Sequence, residues 1–172
     1  MEQFRQLIRD IQDFPKKGVV FKDITPLLAD PVAFRKSINL MSEPLRSRQI
    51  DGFVGIESRG FLFAAALSYD LGIPLIPVRK PGKLPSDTVQ VTYELEYGSD
   101  VLEVHTDAIE RGHRSVIVDD VLATGGTARG TAQLVEKVGG VVDSFSFFIE
   151  LGFLNGRKKL SGYDVGTVLH YT

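Results

Sequence analysis

Two adjacent carboxylates, Asp119 and Asp120, close a β-branched run and lead into a small, glycine-bearing turn; residues 116–128 read VIVDDVLATGGTA. A strand that ends in acids and turns into a helix through Ala123, Thr124, Gly125, Gly126 and Thr127 can aim several backbone N–H groups at one point. The positive end of the helix dipole lies behind them and threonine hydroxyls lie beside them. Such a turn is a cradle for a phosphate dianion. Asp119 and Asp120 are placed to accept hydrogen bonds from vicinal sugar hydroxyls, or to help hold a hydrated magnesium ion. A Gly-Gly pair alone also makes an ordinary strand-to-helix turn, so the weight rests on the whole run.

Three other clusters carry charge where chemistry could use it. Glu57-Ser58-Arg59-Gly60 follows a buried apolar run and precedes a helical pattern, and Arg79, Lys80 and Lys83 crowd a Pro/Gly/Lys segment at 79–86. Glu94 and Glu96, with Tyr97, sit in an alternating stretch at 88–105. Taken singly, each reads as solvated charge on a loop or hairpin. VIVDD would suit the acidic strand of a nucleotide hydrolase, but no G-x-x-x-x-G-K-[ST] partner exists, nor any G-x-G-x-x-G, H-E-x-x-H or G-x-S-x-G. His105, His113 and His170 are scattered and are given no chemistry.

The absence of cysteine from all 172 residues excludes disulfides, thiolate metal sites and thiol catalysis. A net charge of -2 gives no field for bulk nucleic acid or anionic membrane, so phosphate chemistry has to be local. With no signal-like or membrane-length apolar run, the chain reads as cytoplasmic.

The elements that position these residues alternate. Apolar spacing through Phe4, Leu7, Ile8 and Ile11 predicts a helix ended before Pro15, and Asp30-Pro31 opens another that carries Phe34, Ile38, Met41 and Leu45. Strands are predicted at 52–56, 75–78, 115–121, 144–151 and 164–169, with helices at 61–71 and 127–138. This is an α/β pattern, a parallel sheet with helices on both faces. Residues 88–105 break it as an antiparallel hairpin around Gly98-Ser99-Asp100, a candidate lid, and 79–86 reads as the most mobile loop. No linker divides the chain, so one domain is expected over 1–172.

VIVDDVLATGGT closely resembles the phosphoribosyl pyrophosphate signature of type I phosphoribosyltransferases. DFPKKGVVFKDITPLL (13–28), GIESRGFLFAAAL (55–67), PVRKPGKLP (77–85) and YELEYGSDVLEVH (93–105) resemble the adenine-specific branch, in family order and over nearly the whole chain. The resemblance implies a Rossmann-like parallel sheet flanked by helices, a small hood near 1–30 carrying the base site, a mobile lid at about 80–105, magnesium bound with the substrate, and a homodimer. The implied reaction joins adenine to phosphoribosyl pyrophosphate (PRPP), giving AMP and pyrophosphate.

The same resemblance distributes roles. The Val20 carbonyl and the Lys22 N–H read adenine, whose donor and acceptor hypoxanthine would reverse, and Phe21 and Val121 cover its two faces. The 123–127 turn takes the 5-phosphate and Asp119 and Asp120 the ribose. Glu57, Ser58 and Arg59 form the pyrophosphate loop, with a cis peptide at Glu57-Ser58, and Arg59 holds the leaving group or the base side. Arg79, Lys80 and Lys83 add cationic charge, so Arg59 and Lys83 rank with Glu96 as catalytic candidates. Glu96, beside the lid residue Tyr97, is expected near adenine N7, positioning the base or trading a proton, and Glu94 remains an alternative. Two further readings stay open: another purine base (hypoxanthine, guanine or xanthine), or a ligand-responsive regulator of this fold.

Overall fold

The computed structural model describes residues 1–94 and 98–172, which divide into a first unit, Met1–Leu40, and a second, Met41–Thr172. The first unit opens with a single helical turn, α1 (Glu2–Arg5), followed by strands β1 (Arg9–Gln12) and β2 (Val20–Asp23). The expected helix through Ile11 is therefore wrong beyond its first turn. Its 3–4 apolar spacing is outweighed by cross-strand pairing: β1 runs antiparallel to β2 with Arg9 opposite Asp23 and Asp10 opposite Lys22. That register joins each charge to its opposite, Arg9 Nη2 to Asp23 Oδ2 and Lys22 Nζ to Asp10 Oδ1, both at 2.6 Å. Gly18, at φ 87°, turns the connection and donates its N–H to Asp13 Oδ1 at 2.7 Å. The short helix α2 (Thr25–Ala29) follows, and then α3 (Pro31–Ser42) begins where Asp30 Oδ1 accepts from the Val32 and Ala33 N–H groups at 2.9 and 3.0 Å.

The second unit is built on strand β3 (Gly52–Ile56), helix α4 (Gly60–Leu71), β4 (Leu75–Val78), the hairpin β5 (Thr88–Glu94) and β6 (Ser99–His105), β7 (Arg114–Leu122), α5 (Gly126–Lys137), β8 (Val141–Leu151) and β9 (Asp164–Tyr171). Five strands form one parallel sheet in the order β4-β3-β7-β8-β9. From its centre the chain leaves β3 toward β4 on one side and β7 toward β8 on the other. Right-handed crossovers in opposite directions put α4 and α5 on opposite faces. The aromatic packing agrees: Phe63 of α4 stacks on Phe148, with centroids 5.5 Å apart, whereas Phe145 and Phe147 turn to the other face and pack with Leu134 and Val135 of α5. Neighbouring strands whose connections diverge leave a crevice at their carboxyl ends, and here those neighbours are β3 and β7.

The hairpin packs on α5 rather than extending the sheet. Tyr93 is buried against Gly130, where an added Cβ would meet the Tyr93 ring and its Cβ at 2.6 to 2.9 Å. Lys137 Nζ, at the end of α5, donates to the Gln90 carbonyl at 2.9 Å. Buried Glu103 on β6 ties down the 79–86 segment. Arg79 and Glu103 exchange backbone hydrogen bonds of 3.0 and 2.9 Å, and the Glu103 carboxylate accepts from the Lys83 and Leu84 N–H groups and from Gln90 Nε2.

Gly130→Ala should therefore push the hairpin off α5. The expected cost is about 1–3 kcal/mol, read as a lower melting temperature and as faster proteolysis within 79–105 than elsewhere; an unchanged melting curve would mean that Tyr93 is not seated by that contact.

Candidate active site

Where β3 ends, the chain crosses directly over the end of β7. A Cβ at Gly60 would lie 2.7 Å from the Val118 carbonyl oxygen and 2.9 Å from Asp119 Oδ1, so only glycine permits the crossing. The Glu57-Ser58 peptide is cis, as the resemblance implied. This crossing delivers Arg59 to the acids: its Nε is 2.9 Å from Asp120 Oδ2, an ion pair not aligned as a hydrogen bond.

Asp120 is buried and Asp119 partly so, and the Asp120 N–H donates to Asp119 Oδ1 at 2.9 Å. Burial raises the pKa of Asp119 well above the ordinary 3.8, and the adjacent Asp120 charge raises it further. Asp120 is also raised by burial, against the pull of Arg59. The pair thus resists carrying two full charges, and a cation beside it would relieve that resistance. Two oxygen-donor carboxylates, one with a buried Oδ2 that lacks an aligned hydrogen bond, fit a magnesium ion that keeps most of its ligands from water and substrate phosphates. Among the described residues no cluster of three or more His, Asp or Glu could hold a metal by itself.

A cavity of about 310 Å³ is lined by Glu57, Ser58, Arg59, Lys80, Tyr93, Asp100, Asp119, Asp120 and Thr127. A second, of about 80 Å³, is lined by Asp119, Val121, Leu122, the whole 123–127 turn, Ala128 and Phe147. Gly125, at φ 77°, caps α5 without a side-chain bond, so the first amides of the helix face that small cavity. The turn is walled from outside: a side chain at Gly125 would run into the Gly156 carbonyl, and one at Gly156 into the Ala123 carbonyl and the Gly125 nitrogen.

The cations expected around the leaving group are already paired. Glu57 accepts from Arg79 Nε and Nη2 at 3.3 Å each, from the Lys80 N–H at 2.9 Å and from Lys83 Nζ at 3.0 Å. Burial opposes its charge, but the Lys80 amide and the Lys83 and Arg79 side chains outweigh it and hold Glu57 at about 2. Lys80 Nζ is bound by the Asp100 carboxylate and by Tyr93 Oη, the latter at 3.1 Å. Burial works against both Lys80 and Asp100, yet their pairing raises the one and lowers the other.

Of the residues singled out in the sequence, the fold gathers Glu57, Ser58, Arg59, Lys80, Asp119, Asp120 and Thr127 around one cavity, with Arg79 and Lys83 attached through Glu57. Val121, Ala123, Thr124, Gly125 and Gly126 line the adjoining one. Val20, Phe21 and Lys22 lie together on β2 of the first unit, with Phe21 half-buried and edge-on to Phe14 at 5.0 Å. Glu96 and Tyr97 fall outside the described residues; Glu94 is exposed at the end of β5. Sequence reasoning missed Tyr93, Asp100 and Glu103. The signal lay in the hairpin register, which sets Tyr93 opposite Asp100 and Gln90 opposite Glu103.

Comparison with known proteins agrees with this geometry. Residues 23–149 match the phosphoribosyl transferase domain. The chain is 55% identical to the adenine phosphoribosyltransferase of Thermoanaerobacter sp. (strain X514), with 99% of each chain covered, and 58% identical to that of Desulfitobacterium hafniense, covering 98% of this chain and 97% of the other. The crystal structure of adenine phosphoribosyltransferase from Thermoanaerobacter pseudethanolicus superposes with a TM-score of 0.96 at 55% identity over 99% of each chain. The Saccharomyces cerevisiae enzyme, complexed with D-2,5-dideoxy-2,5-imino-altritol 1,6-bisphosphate and adenine, superposes at 0.91 with 40% identity, covering 98% of this chain and 97% of that one. With such likeness along nearly its whole length, this chain belongs to the adenine phosphoribosyltransferase family.

Proposed function

We propose that this chain transfers the 5-phosphoribosyl group of PRPP to N9 of adenine, giving AMP and pyrophosphate. The observation that carries the reading is the convergence of the 57–59 loop, Lys80, Asp119, Asp120 and Thr127 on one cavity, next to a turn that offers helix-terminal amides. The base side is supported by the yeast relative, whose structure contains adenine together with a bisphosphate.

In this reading the 123–127 turn binds the 5-phosphate, and Asp119 and Asp120 take the ribose hydroxyls. Ser58, Arg59, Arg79, Lys80 and Lys83 receive pyrophosphate as C1 acquires positive charge. Magnesium, bound mainly through PRPP, supplies charge neutralisation for the leaving group. The Val20 carbonyl and Lys22 N–H share one edge of β2, since residues two apart point their backbone groups the same way, and they read the amino group and N1 of adenine. Phe21 and Val121 are assigned to the faces of the base. Glu96 is assigned to N7, and Tyr97 and the hairpin to the closing lid that keeps water from C1. The hood is assigned to residues near 1–30 of one phosphoribosyltransferase domain and the lid to about 80–105. The enzyme acts in the cytoplasm, in purine salvage.

It works as a homodimer. The support is helix α4, whose face away from the sheet remains apolar: Leu62 and Tyr69 are 44% and 93% exposed, with Ala65 between them.

Incubation with PRPP, magnesium and each of adenine, hypoxanthine, guanine and xanthine is expected to yield AMP preferentially and to stop on chelation. Another nucleotide would refute the roles of Val20 and Lys22, and no product with any base would favour a regulator.

Because Asp119 binds its proton more tightly folded than unfolded, its contribution to stability falls as pH rises from the ordinary carboxylate range through its raised folded value, and the penalty stands at neutral pH. Asp119→Asn should therefore raise the melting temperature by about 2–4 °C and weaken PRPP about tenfold or more. Calorimetry checks both, and unaltered affinity would remove the ribose assignment.

Leu62→Glu should move the protein in sedimentation from about twice 19.0 kDa to the single-chain mass. A variant still at the double mass would exclude this face of α4.

A further inference from the structure

We propose that Glu57 is an internal stand-in for the anionic oxygens of pyrophosphate: it holds the cations of the site in place and surrenders Lys83 to the leaving group, then takes it back to hasten release. The inference rests on the reading that Lys83 receives pyrophosphate, and it names a role for an acid in a loop otherwise assigned to anion binding.

An anion-binding loop gains nothing electrostatically from a carboxylate unless that carboxylate does something else. The Glu57 side chain is 11% exposed, and four donors converge on its two oxygens at 2.9 to 3.3 Å. Guanidinium, ammonium and backbone amide together are the donor set that recognises one end of a phosphate. The four are not held equally. The Arg79 guanidinium also donates to the Lys83 carbonyl at 3.2 Å and lies 5.9 Å from the Phe61 ring centroid, and the Lys80 donor is backbone. Lys83 differs: its side chain is 50% exposed, while its own N–H is fixed by Glu103. Its ammonium can swing without moving the chain. A half-exposed ion pair is weak, so a polyanion replaces it readily.

The same arrangement acts in reverse after transfer. Glu57 stays beside the departing pyrophosphate, repels it and competes for Lys83, so product affinity is held down. In this way Glu57 acts as a positioning residue for the cations and limits how tightly the product is retained.

The test is calorimetric titration of pyrophosphate, in the presence of magnesium, into the wild type, Glu57→Gln, Lys83→Ala and the double variant. Glu57→Gln keeps the volume and an acceptor for the Lys80 N–H but removes the competing charge. It is expected to bind pyrophosphate about five- to tenfold more tightly. Lys83→Ala should bind more weakly, and the gain from Glu57→Gln should shrink in its background. Equal or weaker binding by Glu57→Gln, with Lys83→Ala weakened, would make Glu57 a mere brace and overturn the proposal. Intact binding by Lys83→Ala would instead sink the underlying assignment of Lys83. Should Glu57→Gln fail to fold, Glu57→Asp, which keeps the charge but withdraws it from Lys83, must shift affinity in the same direction or the proposal fails.

Discussion

The close crossing of two chain segments at Gly60 is the constraint on which the site depends. The loop leaving β3 lies against the end of β7 with no room for a side chain between them, and so Arg59 meets Asp120 while Ser58 faces the same cavity. Without that contact the sheet would still form, since its buried Phe, Val and Ile residues lie elsewhere. The 57–59 loop and the acid pair would no longer share a crevice. Divergence of the β3 and β7 crossovers opens the space, and the glycine closes it to molecular dimensions.

Charge compensation is the second organising principle. Arg59 is matched by Asp120, Arg79 and Lys83 by Glu57, and Lys80 by Asp100. A cluster of bare cations would repel itself and disorder its loop, whereas paired cations can be ordered before a ligand arrives. In the proposed reaction the cost falls on binding, because the incoming polyanion has to displace carboxylates as well as water. The acid pair at Asp119 and Asp120 is different: burial disfavours charge on both carboxyls, and Arg59 offsets this only in part.

Much of this was legible in the sequence. The five strands, α4, α5 and the hairpin followed from period-two and period-3.6 patterns bounded by glycine and proline, and the acid-to-turn run marked the carboxyl end of β7 where the cavities open. The segment through Ile11 was misread because four apolar residues at helical spacing look alike in a helix and in a turn that leads to a strand; only the charges of Asp23 and Lys22, more than ten residues on, decide it. Which acid holds which cation was hidden as well, since it depends on the register that places Asp100 against Tyr93 and on the fold of the 79–86 loop around Glu103. A basic loop announces its charge in sequence, but not its counter-ions.

The packing of Gly156 on Gly125 ties two stretches of chain that are far apart in sequence. The 123–127 turn is backed by a short helical turn at Gly156–Leu160 rather than by solvent, and that helical turn is clamped by Arg157 to the carboxylate of Glu150 at 2.9 and 2.6 Å. The C-terminal stretch, which carries no recognisable motif, therefore acts as a buttress. Loosening it would give the amides of the turn freedom to splay, so that in the proposed reaction the hold on the 5-phosphate would fade while the parallel sheet stayed as before.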